Sequence, residues 1–390
     1  MQLDVEQITF GPNNHIFGYI GHAGTIPWNG TNRYILALEV PFQDHMPGPG
    51  EAATICLLDT HKGYAVEPLD STCGWNPQQG TMFYWNPEQP DSQFFFNDRD
   101  PDTQKIFTVL YDIAQRRRIR QYRYDDTPCG NSGVAQRGGQ FLGLNYARMA
   151  RLRRVTGYVG AWDWTEGVAH PTDDGIHRVD VATGQRDLIV SFADLAAILR
   201  QEQGPEIPPL FINHTLWNRD DDRIYFYARG GWGGQPGQRI NQPFTVAPNG
   251  TGLTPQSVFI GGHPEWAEGR HALGGHDGRL AVYDTDAQQI VDYIADPTII
   301  PDPGGDSALS PNGDLLVTGY GVAEGNQWVV YSRKDGTWVR TDPYSRGQYT
   351  RGDLRCDSAP CWNRDSSQIL VPAIAADGTR QLYLIHLRGC

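Results

Sequence analysis

The sequence predicts an all-β chain, a seven-bladed β-propeller of four-stranded antiparallel blades, and three observations lead there. With 45 glycines, 27 prolines and 11 tryptophans in 390 residues, the composition suits many short strands broken by tight turns better than long helices. A unit of polar residue or histidine, aromatic, Asn/Asp/Gly-rich turn and alternating apolar strand recurs, clearest at residues 213–227, 306–318 and 357–371. Helical segments between strands are missing and no Gly-x-Gly-x-x-Gly follows a strand, which argues against a βαβ architecture.

Taken in order, the units begin near His15, Trp75, Val134, Phe211, Val258, Gly305 and Arg355. Each opens on a strand, hairpin and strand, followed by a second strand pair around a turn, as at 176–190 or at 328–339 across Lys334-Asp-Gly. One such sheet cannot bury both faces, whereas a closed ring packs face on face and removes vulnerable edges. The whole chain, residues 1–390, therefore reads as a single propeller domain. Only residues 192–203 read as helical, with Leu195, Ile198 and Leu199 on one stripe, an insertion after the third blade. The glycine-rich stretch 230–237 reads as a flexible loop over the channel mouth.

A formal charge of −13 argues against a nucleic-acid or anionic-membrane partner, both of which need a basic face. Positive charge is almost all arginine, Lys62, Lys105 and Lys334 being the only lysines. No stretch approaches the length of an apolar membrane span, and the N-terminus has neither a basic region nor an apolar run. The expectation is a monomeric cytoplasmic protein, or a secreted one if a leader has been removed. Cys356 and Cys361 are read as a small disulfide loop or as two buried thiols, with reduced thiols preferred for want of an export signal.

Inner strands of a propeller line its channel, so residues at the unit starts converge in space. Those positions hold Asn14, His15, Gln78, Gln79, Asn145, Arg148, Asn213, His214, His263, Asp306 and Asp357. His214, His263, Asp306 and Asp357 come from consecutive blades, and such N and O donors suit Mn²⁺, Ca²⁺ or Zn²⁺, with His263, Asp306 and Asp357 as the metal set. The competing reading is metal-free, with one histidine as general base and another as hydrogen-bond partner. The catalytic candidates are His214, His15 and Arg148. In the run 148–154, Arg148 is chosen to grip a sugar carboxylate, while Arg153 and Arg154 read as solvated or salt-bridged. Tyr19 and Trp75 offer flat platforms for sugar rings, and His22, Gln79, Asn97, Asp98, Asn145 and Asn213 offer hydrogen bonds. No Gly-x-Ser-x-Gly, His-Glu-x-x-His or P-loop pattern occurs.

The motifs Ile176-His-Arg-Val-Asp-Val-Ala-Thr-Gly, Asn213-His-Thr-Leu-Trp, Gly262-His-Pro-Glu-Trp and Asp357-Ser-Ala-Pro-Cys-Trp-Asn resemble those of oligogalacturonate lyases and the wider TolB-like repeat. The resemblance implies a seven-bladed propeller that binds Mn²⁺ through histidines and a glutamine, with a further histidine as base. On it, His263 looks like a metal ligand and His214 lies on the base-bearing blade. The last blade departs from the pattern, with Arg355-Cys-Asp-Ser where the family has paired histidines, so Asp357 stands in as ligand. The expected activity is a polysaccharide lyase that removes the proton α to a uronate carboxylate in an acidic oligo- or polysaccharide. The rivals are a glycoside hydrolase using Glu39, Asp98 or Asp306 as a carboxylate pair, and a non-catalytic propeller that binds a glycan or protein.

Overall fold

The computed structural model describes residues 1–18, 25–232, 234, 237–303 and 305–389. The chain is an all-β propeller of four-stranded antiparallel blades, each a meander that starts near the channel and works outward. The inner strands are Asn14–Ile16, Tyr84–Trp85, Gly130–Val134, Leu210–Trp217, Gly261–Trp266, Asp306–Leu309 and Cys361–Trp362.

The recurring Trp-Asn pair explains how these short strands are held. At the inner-strand ends, the indole N–H groups of Trp85, Trp217 and Trp362 reach back to the preceding sheet, donating to the carbonyls of Pro27 (2.8 Å), Gly133 (3.1 Å) and Ala308 (2.9 Å). Trp266 makes the same bond to Leu216 at 2.9 Å. The asparagine that follows closes the hairpin: Asn218 Oδ1 accepts from the Asp222 and Arg223 amides, and Asn363 Oδ1 from those of Ser367 and Gln368, all at 3.0 Å. One dipeptide thus packs neighbouring blades together and fixes the turn to the next strand.

The ring closes through a strand the sequence pattern does not single out. Gln2–Gln7 pairs antiparallel with Arg380–Arg388, from Gln2 opposite Arg388 to Gln7 opposite Tyr383, so the last blade is made from both ends of the chain. Its alternation of exposed and half-buried residues is that of an outer strand with one face on the core.

Three expectations need correction. Hydrogen bonding does not give seven separate blades: among the described residues there are five separate four-stranded blades, and the remaining strands form one eight-stranded sheet. Its two antiparallel halves are joined by a single parallel pairing, His263 with Asp306, where two inner strands approach each other. The second blade begins at Tyr84, because Trp75-Asn76 belongs to a loop that leads to the channel and not to a strand. That loop is seated by close backbone contact: Gly80 (φ +57°) lies against Phe17 and Gly18, where a Cβ would fall 2.4 Å from the Phe17 carbonyl oxygen.

The helix α2 (Phe192–Gln203) follows the third blade, opened by a capping box between Ser191 and Asp194. The third correction is a second helix, α1 (Tyr146–Leu152), formed by the arginine-rich run itself, with Asn145 as its N-cap. Among the described residues Cys356, Cys361, Cys56 and Cys129 are buried and in no disulfide, and Cys73 is in none either; Cys390 lies outside the described residues. Among the described residues no helix is long and apolar enough to cross a membrane.

Replacing Trp266 with Phe keeps most of the packed area but strands the buried Leu216 carbonyl. The variant should lose about 1–3 kcal/mol of stability, read as a lower urea midpoint at unchanged slope.

Candidate active site at the channel

The fourth blade's inner strand breaks register between Asn213 and Leu216, leaving one extra residue on that strand. His214 occupies this bulge with φ +59°, a left-handed backbone that a bulky side chain adopts at a cost of about 1–3 kcal/mol. Bulges of this kind re-aim side chains. Thr215 beside it is pinned to the third blade, with its hydroxyl 2.7 Å from that of Ser132. The ring of His214 stands edge-on to Tyr227 at 6.1 Å and to His263 at 4.8 Å between centroids. His263 itself lies in a register break, between Gly261 and Glu265.

Asp306 fixes His263. Its Oδ1 accepts from His263 Nδ1 at 2.5 Å, and its Oδ2 accepts from Ser358 Oγ (2.7 Å) and the Ala359 amide (2.8 Å). A carboxylate only accepts, so the proton sits on Nδ1. Nε2 of His263 has no hydrogen-bond partner among the described residues, and the side chain keeps 24% of its exposure. Burial alone would raise the pKa of Asp306; the charge of His263 and the three hydrogen bonds outweigh it and hold the carboxyl below its usual range. Asp357 is displaced the other way, upward, by burial and then by the charge of Asp306, although Arg355 Nε donates to its Oδ1 at 2.8 Å.

The loop carrying Gln78 and Gln79 bridges the two sides of this centre. Gln78 Nε2 donates to the Arg355 carbonyl at 2.7 Å, and Gln79 Nε2 reaches Asn213 Oδ1 at 3.5 Å. Gln79 Oε1 is buried with no hydrogen-bond partner among the described residues. A separate cavity of about 710 Å³, in the size range of ligand sites, is lined by His45, Arg154, Tyr349, Arg351 and Asp353 among others, and not by His214, His263 or Asp306.

The structure therefore brings together His214, His263 and Asp306, with Asn213 and Gln79 on one side and Asp357 on the other. It does not bring the other expected residues to the pair. His15 is buried with Nδ1 2.9 Å from Gln381 Oε1 and Nε2 3.4 Å from Glu39, so neither nitrogen meets the imidazole pair. Arg148 is corrected to a structural role: its guanidinium bonds the carbonyls of Leu210, Val168 and Ala169 and the Thr165 hydroxyl, with no fork left for a carboxylate. Burial pushes it down to about 10.

Asn145 caps α1 and bonds Asp163 and Asp174. Asn97 is enclosed, donating to the Asn131 carbonyl and the Tyr158 hydroxyl. Trp75 is no sugar platform, being buried against Phe42 with its indole N–H on the Glu51 carbonyl. Asp98 is paired with Arg118. Tyr19 and His22 lie outside the described residues, as do residues 233, 235 and 236 of the glycine-rich loop.

The side chains expected as a metal set, His263, Asp306 and Asp357, are engaged in other contacts. Both oxygens of Asp306 are committed to His263, Ser358 and Ala359, Asp357 is held by Arg355, and among the described residues no three His, Cys, Asp or Glu side chains are grouped to hold a metal ion. The residues that clamp Asp306 carried a readable signal: Asp306-Ser-Ala and Asp357-Ser-Ala are copies of one motif, and the second copy's Ser-Ala binds the first copy's aspartate.

No family model matches the chain, and no curated protein does. Among solved structures it is similar to an oligogalacturonate lyase from Vibrio parahaemolyticus, with TM-score 0.63 and 13% identity over 100% of this chain and 98% of that one. It is also similar to the β-propeller domain of Cps50 (Swd1) from Myceliophteria thermophila, with TM-score 0.51 and 12% identity over 97% and 100%. TolB from Acinetobacter baumannii gives TM-score 0.44 and 12% identity over 92% and 81%. The class is thereby a β-propeller, matched from end to end, and at these identities the likeness is one of fold.

Asp306→Ala leaves the His263, Ser358 and Ala359 donors without their acceptor and should cost about 3–5 kcal/mol at neutral pH. Because the folded pKa of Asp306 is depressed, its contribution is full above about pH 4 and fades as pH falls through the folded value. Urea unfolding at pH 7 and again near pH 2 should show the gap between wild type and variant closing in acid.

Proposed function

We propose that the protein is a polysaccharide lyase that cleaves a uronate-containing glycan by β-elimination at the channel. In this reading the two halves of the eight-stranded sheet act as two units of a seven-unit ring, and the site spans their junction with the fourth unit. The observation that carries the proposal is the imidazole pair: His214 on a strained bulge, 4.8 Å from a His263 whose other face is locked by Asp306. Elimination needs a base for a weakly acidic C–H and a group to receive the departing oxygen on the neighbouring carbon. His214 takes the proton from C5, next to the uronate carboxylate. The C–H electron pair becomes the C4–C5 double bond, the C4–O4 bond breaks, and His263, acting as an imidazolium against the Asp306 carboxylate, passes its Nε2 proton to O4 and is left as the Nδ1–H imidazole. Asp306 holds the His263 ring in position throughout.

The end-to-end likeness to an oligogalacturonate lyase supports this choice over hydrolysis. So does the state of the hydrolase candidates, since Glu39 faces His15 and Asp98 is bound to Arg118.

The test is incubation with uronate polysaccharides, following the absorbance of the 4,5-unsaturated uronate. Wild type should generate that chromophore, and His214→Ala should slow it about 10²–10⁴-fold with unfolding midpoint retained. New reducing ends without the chromophore would make the protein a hydrolase, and neither signal would make it a binding propeller.

A further inference from the structure

We infer that Arg153, Arg229 and Arg239, gathered on the ring of Trp232, form a subsite for the carboxylate of an acidic sugar next to the imidazole pair. The inference rests on the uronate reading above and names the residues that recognise the acid. Three guanidinium groups lie over one indole, at 4.6 Å for Arg153, 5.1 Å for Arg229 and 3.6 Å for Arg239 from the ring centroid. Trp232 is itself anchored, its N–H donating to the Ile240 carbonyl at 2.7 Å. Arg229 also covers Tyr227 at 4.7 Å, and Tyr227 is the ring that stands edge-on to His214. Tyr227 and Arg229 are two apart on one strand and so share a sheet face. The cluster draws on two blades, because Arg153 is the C-cap of α1 in the third.

Several arginines of this acidic chain meet carboxylates, as Arg118 does with Asp70 and Asp98, Arg270 with Asp222, and Arg333 with Glu268. Here three guanidinium groups share one indole. Among the described residues neither Arg153 nor Arg239 makes a side-chain hydrogen bond or an ion pair, while Arg229 Nε is engaged with Asn241 Oδ1 at 2.8 Å. Burial, and then repulsion from Arg229, Arg355 and Arg239, pushes Arg153 down to about 9, with Asp353 opposing. Aromatic faces attract guanidinium groups but do not neutralise them. An anion with two oxygens does, and the planar fork of arginine matches a carboxylate. A uronate held there puts its acid group against positive charge while its ring extends past Tyr227 toward His214, where charge builds on the carboxylate during proton removal.

The test is calorimetric titration of the full chain with a short uronate oligomer and with its carboxyl-reduced, neutral counterpart. Wild type should bind the acidic oligomer at least about tenfold more tightly, an advantage that shrinks with added salt. Arg239→Gln, at an exposed position, and Arg153→Gln should each weaken binding of the acidic oligomer about tenfold, and weaken binding of the neutral oligomer by less. Equal affinity of wild type for both oligomers, or unaltered acid preference in both variants, overturns the subsite. Displacement of the oligomer by inorganic phosphate at comparable concentration overturns the carboxylate assignment in favour of a general anion site. Running the elimination assay on the same samples separates the two proposals: selective binding without unsaturated product defeats the lyase reading alone, and product with unaltered variants defeats the subsite alone.

Discussion

The structure depends on closure of the ring. Pairing of Gln2–Gln7 with Arg380–Arg388 makes the last blade out of both chain ends, so the face-to-face packing of sheets has no beginning or end. His15 and Gln381, 366 positions apart, become hydrogen-bonded neighbours as a direct result. The tryptophan bonds that stitch Trp85, Trp217, Trp266 and Trp362 to preceding blades work only while each inner strand has a neighbour at the right distance. An open array would expose two apolar sheet faces and free the channel residues to drift apart.

Within that frame, the active-site candidate lies where the regular pattern gives way. Regular blades meet through side chains, yet at His263 and Asp306 two inner strands come close enough to pair, and the same residues are joined through their side chains. Three features depart from ideal geometry around this point: the bulge and left-handed backbone at His214, the register break at His263, and Ala359 at φ +30°, whose amide reaches Asp306. Such departures persist only where surrounding packing enforces them. Here they serve to place one imidazole against another and to fix the tautomer of the second.

Much of this was legible in the sequence because it is written in local patterns. Turn chemistry after each Trp, the period-two strands and the helix at 192–203 were readable, and so was the convergence of His214, His263 and Asp306 that follows from their places at unit starts. What escaped depends on long-range contact. Trp75-Asn76 carries the same letters as Trp85-Asn86, and only the backbone packing of Gly80 on Phe17 and Gly18 tells a channel loop from a blade start. Arg148 and Arg153 belong to one arginine run, but α1 turns the first toward the carbonyls of Leu210 and of the loop residue Val168 and places the second on Trp232. The contacts of Asp306 with His263 and with the next motif's Ser-Ala likewise depend on neighbouring blades meeting.

The account holds that one acidic sugar spans the arginine cluster and the imidazole pair at the same time. A crystal structure of the His214→Ala variant with a bound uronate oligomer tests that most directly. The sugar should lie at the channel with a carboxylate on Arg153 and Arg239, its C5 facing the vacated position 214 and its glycosidic oxygen toward Nε2 of His263. A sugar seated on another surface, or one whose carboxylate points away from Trp232, would contradict it.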